Sequence, residues 1–100
     1  MNEDYFNILR KIQKKPELSQ REAAKELDLS LGKLNYCLKE LKKKGFIKIN
    51  NFRNSKNKLK YAYILTPRGL SEKTKVTINF MKLKMKEYDE LKKELKKNKK

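Results

Sequence analysis

Residues 30–39 read Ser-Leu-Gly-Lys-Leu-Asn-Tyr-Cys-Leu-Lys. At helical spacing Leu34, Leu38 and Leu41 share one face, and Gly32, Lys33, Asn35, Tyr36 and Lys39 fall on the other. Those polar types suit a polyanion that carries hydrogen-bonding edges. An asparagine amide pairs with adenine, lysines reach guanine edges or phosphates, and a tyrosine hydroxyl donates to phosphate. Ser30 is an N-cap type, and the N–H groups behind such a cap favour an anion. Gly32, without a side chain, allows close backbone approach. A second polar, basic group follows at Arg53, Asn54, Ser55, Lys56, Asn57 and Lys58. Taken singly, each of these residues reads as well as ordinary solvated surface; taken together they describe a footprint for nucleic acid.

The rest of the composition narrows the chemistry. The 100 residues contain no histidine and a single cysteine, Cys37, so His-dependent catalysis, His metal ligation and an internal disulfide are excluded. No nucleophile–base pair and no Gly-rich phosphate loop occurs, so an enzyme is not expected, nor any metal or cofactor. Cys37, at the edge of the leucine stripe, reads as a small core residue; a redox sensor would need exposure and usually a resolving thiol. No apolar run approaches the ~18 residues of a membrane span. The acidic start Met1-Asn2-Glu3-Asp4 lacks the apolar stretch of a secretory signal, so a cytoplasmic setting without membrane contact is expected.

The net charge of +16 is unevenly placed. Residues 1–29 hold six basic and six acidic side chains, residues 30–68 eleven and one, and residues 82–100 nine and four. Solubility gives no reason for the middle segment to hold most of the excess; phosphate binding does.

The elements that must position these residues follow from periodicity and caps. Tyr5, Ile8, Leu9 and Ile12 form the stripe of a first helix over residues 4–15, stopped by Pro16. Ser19 and Glu22 suit a capping box for a second helix, about residues 20–27, with Ala23, Ala24 and Leu27 inward. A tight turn at Leu27-Asp28-Leu29 leads to a third helix, about 31–44, with Leu31, Leu34, Leu38 and Leu41 buried and Gly45 just past its end. Residues 46–52 and 59–65, rich in Ile, Tyr and Phe, read as a hairpin. Thr66-Pro67 opens a long last helix running to Leu95, interrupted at most at Gly69, before a frayed basic tail over residues 96–100.

The expected fold is therefore mainly α: a winged helix-turn-helix with a small antiparallel β-hairpin wing and a long C-terminal dimerisation helix. Residues 1–66 form the DNA-binding domain and 67–100 the long helix with its tail. Along that helix Ile78, Met81, Met85, Tyr88, Leu91 and Leu95 make a heptad-like seam for a second copy, and Val76, Phe80 and Leu83 a second stripe able to cover the winged domain. The expected function is sequence-specific binding of double-stranded DNA as a homodimer. Two other classes remain open: a module for RNA or a protein partner, and a non-specific architectural DNA binder.

The stretch from Leu18-Ser19-Gln20-Arg21-Glu22-Ala23-Ala24 to Leu38–Ile47 resembles the winged-helix core of MarR-type bacterial regulators, and Leu65-Thr66-Pro67-Arg68-Gly69 resembles the motif that closes their wing. Residues 51–58, 61–67 and 80–88 look more closely like a short subgroup associated with exopolysaccharide gene clusters. The resemblance implies a transcription regulator, with polysaccharide biosynthesis genes as its regulon; it identifies no small-molecule effector. Larger members carry Asp-x-Arg in the wing, where this chain has Asn57-Lys58-Leu59, so the arginine contact passes to Arg53 or a lysine.

Overall fold

The computed structural model describes residues 2–53, 56 and 59–98. The element order is α1 (Glu3–Lys14), α2 (Gln20–Leu27), α3 (Leu31–Lys43), β1 (Ile47–Arg53), β2 (Leu59–Leu65) and α4 (Pro67–Lys97). This is a winged helix with a two-stranded antiparallel wing and a long C-terminal helix, the fold class read from the sequence. Boundaries move by one or two residues. The strand expected over 46–52 spans Ile47–Arg53, and Lys96 and Lys97, expected in a frayed tail, belong to α4.

Each helix begins at a side-chain cap. Asn2 Oδ1 accepts from the Tyr5 N–H at 2.9 Å, Ser19 Oγ from Glu22 at 3.2 Å, Ser30 Oγ from Lys33 at 3.0 Å and Thr66 Oγ1 from Gly69 at 3.0 Å. The α2–α3 turn is tight because Asp28 adopts the left-handed conformation, φ 56°, while the Leu29 N–H reaches back to the Ala24 carbonyl at 2.9 Å. Gly45 ends α3 in the same way, with φ 77° and a Phe46 N–H to Leu41 carbonyl bond of 3.0 Å.

The core joins Ile8, Leu9 and Ile12 of α1, Ala24 of α2, Leu34, Cys37, Leu38 and Leu41 of α3, and Ile47 of β1. Two inward assignments are corrected. Leu31 is 42% exposed, because the first turn of α3 projects beyond the packed helices; Cys37 takes the fourth place in the stripe and is fully buried. Leu83 is 57% exposed: Phe80 is the residue of its stripe that meets α1, through an edge-to-face contact with Phe6 at 5.0 Å between ring centroids, and every described residue after Phe80 is exposed. Phe6 itself, outside the expected stripe, is buried by that contact. The chain is elongated, 67 × 26 × 26 Å, because α4 extends beyond the winged domain.

Candidate nucleic-acid interface

The buried stripe of α3 sets the orientation of everything opposite it. With Leu34, Cys37, Leu38 and Leu41 anchored, Gly32, Lys33, Asn35, Tyr36 and Lys39 are all exposed. Tyr36 stands 59% exposed, and a Cβ at Gly32 would meet nothing within 4 Å. The structure thus brings these five residues to one open face. Ser30 is exposed beside them, its hydroxyl oxygen occupied by the Lys33 N–H. The Leu34 N–H closes the first turn on the Ser30 carbonyl, so the N–H groups of Leu31 and Gly32 have no intrahelical acceptor and face outward. An anion placed there meets unpaired donors and the positive end of the helix dipole.

The wing is held to the C-terminal end of α3 by backbone and side chain together. Thr66 donates its N–H to the Phe46 carbonyl at 3.0 Å and its hydroxyl to the Gly45 carbonyl at 2.5 Å, fastening the end of β2 to the end of α3. Gln20 Nε2 donates to the Tyr63 hydroxyl at 3.4 Å, linking β2 to α2. In the ladder Ile47 pairs with Leu65 and Ile49 with Tyr63. Arg53 ends β1 and Lys56 is exposed at the tip; Asn54, Ser55, Asn57 and Lys58 lie outside the described residues. Lys48, Asn50 and Asn51 are exposed along β1, and the sequence reading, which started the wing contacts at Arg53, passed over them. The signal for Lys48 and Asn50 was their alternation with Ile47 and Ile49 in the strand; Asn51 falls on the other face.

Ion pairs among the described residues lie elsewhere: Lys11 and Lys15 with Glu26 at 3.8 and 3.3 Å, and Lys84 with Glu87 at 3.6 Å. Lys33 and Lys39 take part in none of them. Burial pushes the Cys37 thiol up from its ordinary range, against a smaller opposing effect of Lys33, which keeps it a neutral core group. The seam residues Ile78, Met81, Met85, Tyr88, Leu91 and Leu95 are all exposed on the single chain. Among the described residues no group of His, Cys, Asp or Glu is placed to hold a metal, and no helix is long and apolar enough to cross a membrane.

Fold and site together define a winged helix-turn-helix with a cationic, solvent-open third helix. Residues 6–48 match the family described as winged helix-turn-helix DNA-binding. No curated protein matches the chain in sequence. Among solved structures it is similar to FabT of Streptococcus pneumoniae in complex with DNA: 21% identity, TM-score 0.63, covering 90% of this chain and 61% of that one. It is also similar to a PadR-like transcriptional regulator from Bacillus cereus, with 18% identity, TM-score 0.73 and coverage of 87% and 89%. A third likeness is to a MepR mutant of Staphylococcus aureus, with 18% identity, TM-score 0.70 and coverage of 97% and 77%.

Proposed function

We propose that the chain is a transcription regulator that binds specific sites in double-stranded DNA as a homodimer. The observation that carries this is the exposed α3 face: Lys33, Asn35, Tyr36 and Lys39 stand opposite a fully buried stripe, beside a wing fastened to the same helix. Asn35 and the two lysines contact base edges, Tyr36, Ser30 and the first turn of α3 contact phosphate, and the wing from Arg53 to Lys58 tracks the adjacent backbone. The FabT structure, described as a DNA complex, supports the same use of the fold. Residues 1–66 supply the reading domain and 67–100 the dimerisation helix, whose apolar seam a second copy covers. A two-fold pair reads two half-sites, as symmetric operators require. The likeness of the wing-to-helix run to the short exopolysaccharide-associated subgroup extends the proposal to polysaccharide biosynthesis genes as the regulon, in the cytoplasm, with no catalytic step.

The test is competition for the protein, at fixed salt, between a palindromic duplex selected from random sequence, a scrambled duplex and an RNA hairpin. Preference for the selected duplex supports the reading. Equal affinity for the scrambled duplex favours an architectural binder, and preference for RNA or for neither favours an interaction module.

A further inference from the structure

Tyr63 of β2 stands between two spaces. With Ile8, Ile12, Leu34 and Leu38 it lines a cavity of about 30 Å³ in the core. With Pro16, Leu18 and Ile49 it lines an open groove of about 380 Å³ between the α1–α2 link and the wing. Space on both sides means that close packing alone does not hold the side chain in one place. Its hydroxyl is held instead: it accepts from Gln20 Nε2 at 3.4 Å. Gln20 is the first residue of α2, behind the Ser19 cap, so the donor sits on a fixed helix end. Tyr63 pairs across the hairpin with Ile49, which is 41% exposed, whereas Ile47, on the same face one pleat nearer the base, is buried. The packed contact of the wing with the domain thus thins out at the level of Tyr63.

We infer that Tyr63 is the positioning residue of the wing: its hydroxyl, tied to Gln20, fixes the angle of the hairpin against α2, so that α3 and the wing engage one duplex together. This rests on the DNA-binding reading and adds the residue that couples its two contact surfaces. The base of the wing is fastened at Thr66, through Phe46 and Gly45. From Leu65 at that base, Tyr63 lies two residues along β2 and Leu59, where the strand begins, lies six. At about 3.4 Å per residue these are roughly 7 and 20 Å. A rotation about the base that moves Tyr63 by ~1 Å therefore moves the far end of β2 by ~3 Å, more than a hydrogen bond to phosphate tolerates. The tie also suits its surroundings. Neither partner is ionised, so it does not compete with phosphate for the lysines of the wing and α3, and salt does not screen it. Because α2 packs on α3 through the shared core, a wing referred to Gln20 is referred to the reading helix as well.

Tyr63→Phe in the full chain tests this, since it removes the hydroxyl and keeps the ring. Affinity for a selected duplex should fall about fivefold, the size of one neutral hydrogen bond. Gln20→Ala should cost about the same and add nothing to Tyr63→Phe, because both break one tie. The salt dependence separates positioning from mere structure. Tyr63 carries no charge, so loss of a purely structural bond leaves the slope of log K against log[salt] unchanged. A displaced wing gives up phosphate contacts, so in Tyr63→Phe that slope should become shallower by about one contact per subunit. Wild-type affinity in Tyr63→Phe, losses that multiply in the double variant, or an unchanged salt slope each overturns the inference and leaves DNA binding standing. A wild type without affinity for any duplex overturns the DNA-binding reading and the inference together.

Discussion

Gly69 of α4 lies against the backbone of Phe46: a Cβ at position 69 would stand 1.9 Å from the Phe46 carbonyl oxygen. That oxygen also accepts the Thr66 N–H at 3.0 Å, and the Arg68 guanidinium sits 5.6 Å from the centre of the Phe46 ring. The junction of α3, the wing and α4 thus sets Gly69 against Phe46, beside the Thr66 bonds to Gly45 and Phe46.

Gly69→Ala forces backbone apart, since the clashing atom belongs to the main chain. A loss of about 1–3 kcal/mol is expected, read as a lowered denaturation midpoint. Gly32→Ala is the control of opposite sign. Its Cβ meets open space, and replacing a helical glycine should stabilise by up to about 0.5–1 kcal/mol. If Gly32→Ala nevertheless weakens DNA binding while raising stability, the loss reports close approach of DNA to the α3 backbone; unchanged binding would show that the backbone stays clear.

Much of this architecture was legible in advance. Ser19, Ser30 and Thr66 announce helix starts because their hydroxyls satisfy N–H groups locally, and the leucine spacing of α3 gives its buried face. What stayed hidden depends on distant chain. Phe6 is buried by Phe80, and periodicity around residue 6 carries no sign of that partner. Leu31 belongs to the leucine stripe by spacing, but a stripe does not say where the neighbouring helices stop. Periodicity marks Gly69 as a weak point in a helix and the resemblance puts it in the wing-closing motif; the Phe46 carbonyl against it gives the physical reason for a glycine there. Arg10, Lys14 and Lys73 are surface cations in the sequence and acquire a common place, along a groove between α1 and α4, only in the fold.

Cys37 makes stability depend on pH in a defined direction. Its folded pKa is raised above the ordinary 9.0, mainly by burial, so the thiolate is disfavoured in the fold. The contribution is full below the ordinary value and is lost as pH rises through the raised one. Tyr5, raised by burial and then by Cys37, Tyr36 and Glu40, acts in the same sense. Cys37→Ala should flatten the fall of stability on the alkaline side of pH 9.0, whatever it does at neutral pH. An unchanged alkaline slope would remove the thiol from the account.

Asn35→Ala and Lys56→Ala separate base reading from phosphate binding. Asn35→Ala should cost about 1–3 kcal/mol at a selected site and relax preference there. Lys56→Ala should weaken all duplexes by similar factors. Isotherms on selected and scrambled duplexes check both; unchanged specificity after Asn35→Ala would mean that another face of α3 reads the bases.

In the proposed homodimer, Met81→Glu with Met85→Glu puts like charges on both sides of a two-fold seam, and an isologous interface repeats each change. The winged core of Ile8, Ile12, Leu34, Leu38 and Leu41 is not touched. Sedimentation should show a monomer that retains helical signal, with palindrome binding sharply reduced by loss of the second half-site. Undiminished dimerisation would place the interface elsewhere on the chain.

The most direct measurement is the affinity for a selected duplex across a salt series. If the basic segment around α3 and the wing makes ~6–10 phosphate contacts per dimer, log K falls with log[salt] at about −0.9 per contact. Neutralising Lys33 or Lys39 should make that slope shallower by about one contact per subunit. A slope near zero, or one indifferent to both lysines, would contradict DNA recognition through the exposed face of α3.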